Sequence, residues 1–305
     1  MNTVKAPRIF VVLLATLLLA APARLCSQTP RPPLVPTPRP ATPSPSLVPT
    51  PRPALPGATG AGTQKPIEGP FAALMTGDWA LGEHGGLPFA LYAGKDLNPG
   101  QKYPLVLGLH GKSQNNENGK QVGGWMKSFA KPDRYLENPC IIVAPLCYQP
   151  FGGTGSGWVD KPGEQTIALV RALMKALPVD PKRIYIVGHS MGGFGVCHLM
   201  AREPQLFAAG VPVSGYGGAA EEAKLARKPL WLFHAADDKV VPVAGARDFA
   251  KLFGRAKTFQ YTEYPDGGHG IPGRVFDDEK VYKWLFSQGV QSTGPVSGLP
   301  ARPSN

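Results

Sequence analysis

Arg183-Ile-Tyr-Ile-Val-Gly188-His-Ser190-Met-Gly-Gly193 is the stretch whose reading decides the fold. Ile184 to Val187 is a continuous apolar run, the pattern of a strand buried on both faces of a sheet. Met191 to Arg202 follows at once with a helix-like pattern. Between the two stands G-x-S-x-G, with glycines two places either side of Ser190 that let strand and helix approach without Cβ collisions. Ser190 would then stand on a sharp turn at the sheet edge. The helix N-terminus beside it has unpaired N–H groups that favour negative charge. That is the setting of an exposed nucleophile rather than of a helix cap.

Outward from this stretch, apolar runs and helical segments alternate. Strands are expected at Pro104–His110, Cys140–Pro145, Arg183–Gly188, Ala209–Ser214, Pro229–His234 and Thr258–Glu263. Most are continuous rather than alternating, as in parallel sheets. Glu164 to Leu177 places Ile167, Leu169, Val170, Leu173, Met174 and Leu177 on one helical stripe. Val243–Phe253 and Phe276–Phe286 behave similarly, and Leu87–Ala93 reads as an antiparallel edge. Repeated strand–helix–strand order means an α/β fold, a mostly parallel doubly wound sheet with helices on both faces. Its ligands belong at the carboxyl ends of the strands.

A serine at its free pKa is a poor nucleophile, so a base must take its proton and an acid must orient that base. In this kind of sheet the chain order is serine, acid, histidine. Asp237 and Asp238 follow the strand ending at His234, and His269 follows the last strand in Tyr264-Pro-Asp-Gly-Gly-His269. Spacing alone leaves either aspartate open as the acid. His110 and His189 adjoin glycine turns and read as packing residues bonded to backbone, and His234 as a strand-end packing residue. No histidine pair has the i, i+4 spacing of a helical zinc site, so no metal is expected. The glycines from Gly152 to Gly157 follow no tight strand-to-helix turn, which argues against dinucleotide binding; no cofactor is expected. Trp125 and Trp158 are candidates to hold an aromatic or sugar face; a place in the core accounts for each equally well. The intervals from Ser190 to Asp238 and on to His269 leave no room for a large lid.

These residues together resemble a single-domain α/β-hydrolase serine esterase. The similarity is to the phospholipase/carboxylesterase group and to polyhydroxybutyrate depolymerase or feruloyl-esterase-like enzymes. It rests on Leu107-Gly-Leu-His110-Gly111, on Ile184 to Gly193, on His234 with Asp238 and Val-Val-Pro242, and on Gly268-His269. It covers roughly residues 87 to 287. The resemblance implies Asp238 as the triad acid, between Ser190 and His269. It also implies the backbone N–H groups of Met191 and Lys112 as an oxyanion hole. Lys112 departs from the small or apolar residue usual there, which a backbone donor tolerates. Carboxylic esters of small molecules, polysaccharides or polyesters are the implied substrates. A peptidase of prolyl-oligopeptidase type and a non-catalytic module on the same fold are the alternatives.

The remaining sequence divides the chain. Lys5 and Arg8 precede an apolar run from Ile9 to Ala21, and Ala21-Pro-Ala23 suits a signal peptidase, so residues 1–23 read as a signal peptide. Cys26 lies just beyond, after a Leu25 too bulky for the usual lipid-modified cysteine. Residues 24–64 read as a Pro-rich linker, with 12 prolines between Pro30 and Pro56. There Leu34-Val-Pro-Thr-Pro-Arg-Pro-Ala41 recurs as Leu47-Val-Pro-Thr-Pro-Arg-Pro-Ala54. Proline at this density favours extended polyproline II and cannot build a packed core. Residues 65–289 form the catalytic domain, and 290–305 a loose tail. A secreted, periplasmic or cell-envelope location is expected, with surface tethering through the linker. Of the formal net charge of +11, only +4 falls within 65–289, with both signs interspersed. That speaks against a nucleic-acid partner. Cys140 and Cys147 would lie about 20 Å apart at opposite ends of a strand, whereas Cys147 could meet Cys197.

Overall fold

The computed structural model describes residues 67–112, 118–152 and 155–289. The expected signal peptide (1–23), the linker (24–64) and the tail (290–305), with Cys26, lie outside the described residues.

In chain order the strands are β1 (Trp79–His84), β2 (Leu87–Tyr92), β3 (Tyr103–Leu109), β4 (Ile141–Pro145), β5 (Phe151–Gly152), β6 (Gly155–Ser156), β7 (Val179–His189), β8 (Ala209–Val213), β9 (Leu230–Ala235) and β10 (Phe259–Tyr264). The helices are α1 (Gly124–Lys127), α2 (Pro132–Glu137), α3 (Lys161–Ala176), α4 (Met191–Arg202), α5 (Ala219–Leu225), α6 (Val243–Phe253), α7 (Pro272–Phe276) and α8 (Glu279–Ser287). Eight strands form one sheet in the order β1-β2-β4-β3-β7-β8-β9-β10, and β5 pairs with β6 in a separate hairpin. β1 with β2 and β2 with β4 are antiparallel; the pairs from β4 to β10 are parallel.

Period-two alternation divides the core between the two faces of the sheet. Leu105, Leu107 and Leu109 pack with Leu169, Val170, Val196 and Phe249, from the face carrying α3, α4 and α6. Val106, Tyr185 and Val187 pack with Trp125, Val275, Tyr282 and Leu285, from the face carrying α1, α7 and α8. Every residue of β3 and β4 is buried. Covered faces on both sides explain why these strands read as continuous apolar runs. β3 sits between β4 and β7, so the chain reverses its direction of travel across the sheet at β3. At such a reversal the loops leaving neighbouring strands diverge and open a crevice.

Two expectations need correction, and one open question about the cysteines is answered. The strand from Leu87 is not the edge, because β1 covers it, pairing Trp79 with Tyr92 through His84 with Leu87. β1 has no buried residue and carries Gly82 in its middle, so it lacked the apolar signature. The single helix expected over Phe276–Phe286 is two, since Asp278 caps α8 by accepting the Lys280 N–H at 2.8 Å. Cys147 and Cys197 form no disulfide; they and Cys140 are buried free thiols. Burial pushes all three thiols up, Cys147 to about 11.

Candidate active site

Ser190 stands between β7 and α4 with φ 56° and ψ −118°. This left-handed backbone costs a residue with a Cβ about 1–3 kcal/mol, and its neighbours enforce it. The Ser190 N–H donates to Val213 O on β8 at 2.9 Å, and the Phe194 N–H donates to Ser190 O at 3.1 Å. A Cβ on Gly192 would run into Leu109 O, and one on Gly188 into Gly192 O. Both glycines are therefore required by contact, which is the physical content of the G-x-S-x-G spacing.

His269 reaches the serine from the loop after β10. Its Nε2 lies 2.7 Å from Ser190 Oγ, and its Nδ1 lies 2.8 Å from Asp238 Oδ2. A carboxylate can only accept, so Nδ1 carries the proton and Nε2 is left to accept from the serine hydroxyl. Asp238, buried in the loop after β9, uses its Oδ1 to accept the Val240 and Val241 N–H groups, both at 2.9 Å. Burial alone would raise the Asp238 carboxyl, but the bonds from His269, Val241 and Val240 outweigh it and hold it below its ordinary value. Asp237 has a different partner: its Oδ1 accepts the Gly268 N–H at 2.7 Å, tying the two loops together.

The main chain of His269 is held as firmly as its ring. Its carbonyl accepts from His189 Nε2 at 2.7 Å and from Ser214 Oγ at 3.3 Å. The His189 and His269 rings lie 4.9 Å apart. Burial pushes His189 down to about 4, so it is neutral at pH 7.

Near the serine, Met191 opens α4, where a first-turn N–H has no partner within the helix. Lys112 is exposed and follows Gly111, on which a Cβ would lie 3.4 Å from Ser190 Cβ. The Gly111–Lys112 main chain therefore passes alongside the serine. His110 pins this turn: its Nδ1 donates to Gly111 O at 2.7 Å, and its Nε2 accepts the Cys147 N–H at 2.9 Å. Burial lowers His110 to about 4 as well.

The tryptophans do not supply a substrate surface. Trp125 is 8% exposed and stacks on Phe276 at 4.8 Å in the core. Trp158 is 1% exposed, donates from Nε1 to His110 O at 3.2 Å and packs edge-on against the His110 ring, 5.1 Å away. Both are packing residues because helices cover the faces they point into. Three half-buried aromatics, Phe151, Phe194 and Tyr216, cluster about Phe194 on the first turn of α4. The Phe194 ring lies 5.6 Å from Phe151 and 5.1 Å from Tyr216. Phe194, four residues after Ser190 on a helix, could have been found by its spacing; nothing local marks the other two.

The chain is similar to known proteins in sequence and in fold. The prolyl oligopeptidase family model matches residues 156–221, which hold α3, β7, the Ser190 turn, α4 and β8. Over 216 residues, 68% of the chain, it is 27% identical to a bifunctional acetylxylan esterase/xylanase from Neocallimastix patriciarum, and it spans 29% of that protein. It superposes on a thermostable esterase with a TM-score of 0.62 at 31% identity, covering 69% of this chain and 62% of the other. The feruloyl esterase module from Clostridium thermocellum shares the fold at a TM-score of 0.55 and 14% identity, covering 72% of this chain and 93% of that one. Its mostly parallel sheet with helices on both faces is the α/β-hydrolase fold, and in sequence and fold the chain is similar to these esterases.

Proposed function

We propose that the chain is an exported serine hydrolase that cleaves carboxylic esters through an acyl-enzyme. The unbroken line from Ser190 Oγ to His269 Nε2 and from His269 Nδ1 to Asp238 Oδ2, at 2.7 and 2.8 Å, carries this reading. Ser190 Oγ attacks the ester carbonyl carbon while His269 Nε2 takes its proton. The Met191 and Lys112 N–H groups hold the oxyanion as the tetrahedral intermediate forms. His269 returns the proton to the leaving alkoxide, and the alcohol departs. A water, deprotonated by the same Nε2, then attacks the acyl carbon and releases the acid and Ser190. Asp238 stays ionised throughout, fixes the His269 tautomer and stabilises the imidazolium.

The acetylxylan relative and the row Phe151–Phe194–Tyr216 favour esters on polysaccharides, or esters with a planar group that can lie against aromatic rings. The match of residues 156–221 to the prolyl oligopeptidase family supports a second reading, a serine peptidase on the same machinery. Assays with p-nitrophenyl acetate, feruloyl esters, acetylated xylan and proline-containing peptides separate the two. Ester turnover with no peptide turnover is expected. Ser190→Ala should lower kcat by about 10⁶, since triad members act as a unit, and should abolish labelling by a fluorophosphonate. Labelling that persists in Ser190→Ala would remove the nucleophile assignment.

A further inference from the structure

His234, at the end of β9, is fully buried and lies against the acid of the triad. Its Nε2 is 2.9 Å from Val241 O and 3.2 Å from Asp238 Oδ2, the oxygen that also faces His269. Both neighbours are acceptors, so Nε2 must carry the proton. Nδ1 is then a bare acceptor, buried and with no hydrogen-bond partner among the described residues. A buried acceptor without a partner destabilises the fold, and a strand end requires none, so packing alone is a poor account of histidine here. The neighbour across the sheet, Glu263, does not explain it either. Glu263 is paired with Arg247 at 2.8 and 2.6 Å and with Tyr261 at 2.7 Å.

What His234 does reach is the loop that holds Asp238. Val241 accepts from His234 through its carbonyl and donates to Asp238 Oδ1 through its N–H. One ring thus fixes the residue that grips one carboxylate oxygen, and turns its proton toward the other. We infer that His234 is a positioning residue for the charge-relay acid: it sets the rotation of the Asp238 carboxylate and presents a second N–H to Oδ2 beside His269. This rests on the triad reading above. The role needs a donor at the Nε2 position, which glutamine supplies and leucine does not.

The experiment compares His234→Leu and His234→Gln in the full-length protein. It measures kcat and KM on p-nitrophenyl acetate, thermal melting, and the far-downfield proton NMR signal of the His269 Nδ1–H shared with Asp238. His234→Leu should fold, keep KM within about twofold and lose roughly 10- to 100-fold in kcat, with the downfield signal shifted; His234→Gln should recover most of both. A His234→Leu protein with parental kcat and an unmoved signal would overturn the inference. So would a His234→Gln protein that melts like the parent yet loses as much kcat as His234→Leu. Should His234→Leu fail to fold, His234→Gln decides alone: parental kcat and signal support the role, and loss of either overturns it. A downfield signal that survives Asp238→Asn would instead strike the triad reading itself.

Discussion

At the scale of the residue, two adjacent carboxylates do different work because they face different donors. Asp238 is buried and takes N–H groups from His269, Val240 and Val241, while Asp237 takes the Gly268 N–H at the surface. Asp238→Asn replaces one acceptor oxygen by a donor and favours the wrong tautomer of His269, so kcat on a short ester should fall on the order of 10⁴. Asp237→Asn keeps an oxygen that can accept from Gly268 and should cost tenfold or less. Steady-state kinetics on both variants at pH 7 to 8 decides between them, and a reversed order would move the acid by one residue. Ser190 and His269 were legible because each follows a strand in the required order. Spacing could not separate Asp237 from Asp238, since the direction of neighbouring loop side chains depends on donors elsewhere in the fold. The same dependence hid the contact of His234 with Asp238 and the burial of both tryptophans, each of which a distant element covers.

At the scale of the element, the join between β3, β7 and α4 determines whether the serine is presented at all. Gly192 has no room for a side chain, since the Leu109 carbonyl of β3 fills the place of its Cβ. Gly192→Ala must therefore push α4 away from β3, which breaks close packing between two buried elements. Such overpacking against backbone should cost more than about 3 kcal/mol. The urea midpoint should drop accordingly, and fluorophosphonate labelling of Ser190 should fall in whatever protein remains folded. An alanine variant with a parental midpoint would show that the join can relax. Elements of this central kind were the legible ones: β3, β4, β8, β9 and β10 lie within a residue of their sequence-based limits, and α4 and α6 coincide with theirs. β7 starts at Val179, four residues before the expected Arg183, because Val179 pairs with Tyr103 ahead of an irregularity at Asp180 to Arg183, where the register against β3 shifts and the apolar signal is interrupted. β1, α1, α2 and α5 escaped notice because they are short or half-exposed, and tertiary contacts rather than local pattern hold them in place.

At the scale of the whole molecule, the site carries a cost that appears as the pH falls. His110 and His189 hold the two loops that flank the serine, and burial lowers each to about 4 from the ordinary 6.5. The unfolded chain protonates both as the pH drops below 6.5, whereas the folded chain resists until about 4. Protons therefore favour the unfolded state across that window. The stability present above pH 6.5 is lost on the way down, by about 2 kcal/mol per histidine at pH 5. Asp238 adds nothing in this range, because a carboxyl held below its ordinary value loses its contribution only at more acid pH. Two such groups amount to about 4 kcal/mol, a large part of the total of roughly 5–15 kcal/mol available to a domain. Urea unfolding at pH 7.5 and pH 5.0 should show a marked fall in midpoint without a change in slope. His110→Gln and His189→Gln keep a polar side chain at each position but cannot titrate, so each should remove about half of the pH dependence and the double variant most of it. A parent protein equally stable at both pH values would show that these rings are free to take up a proton in the folded state.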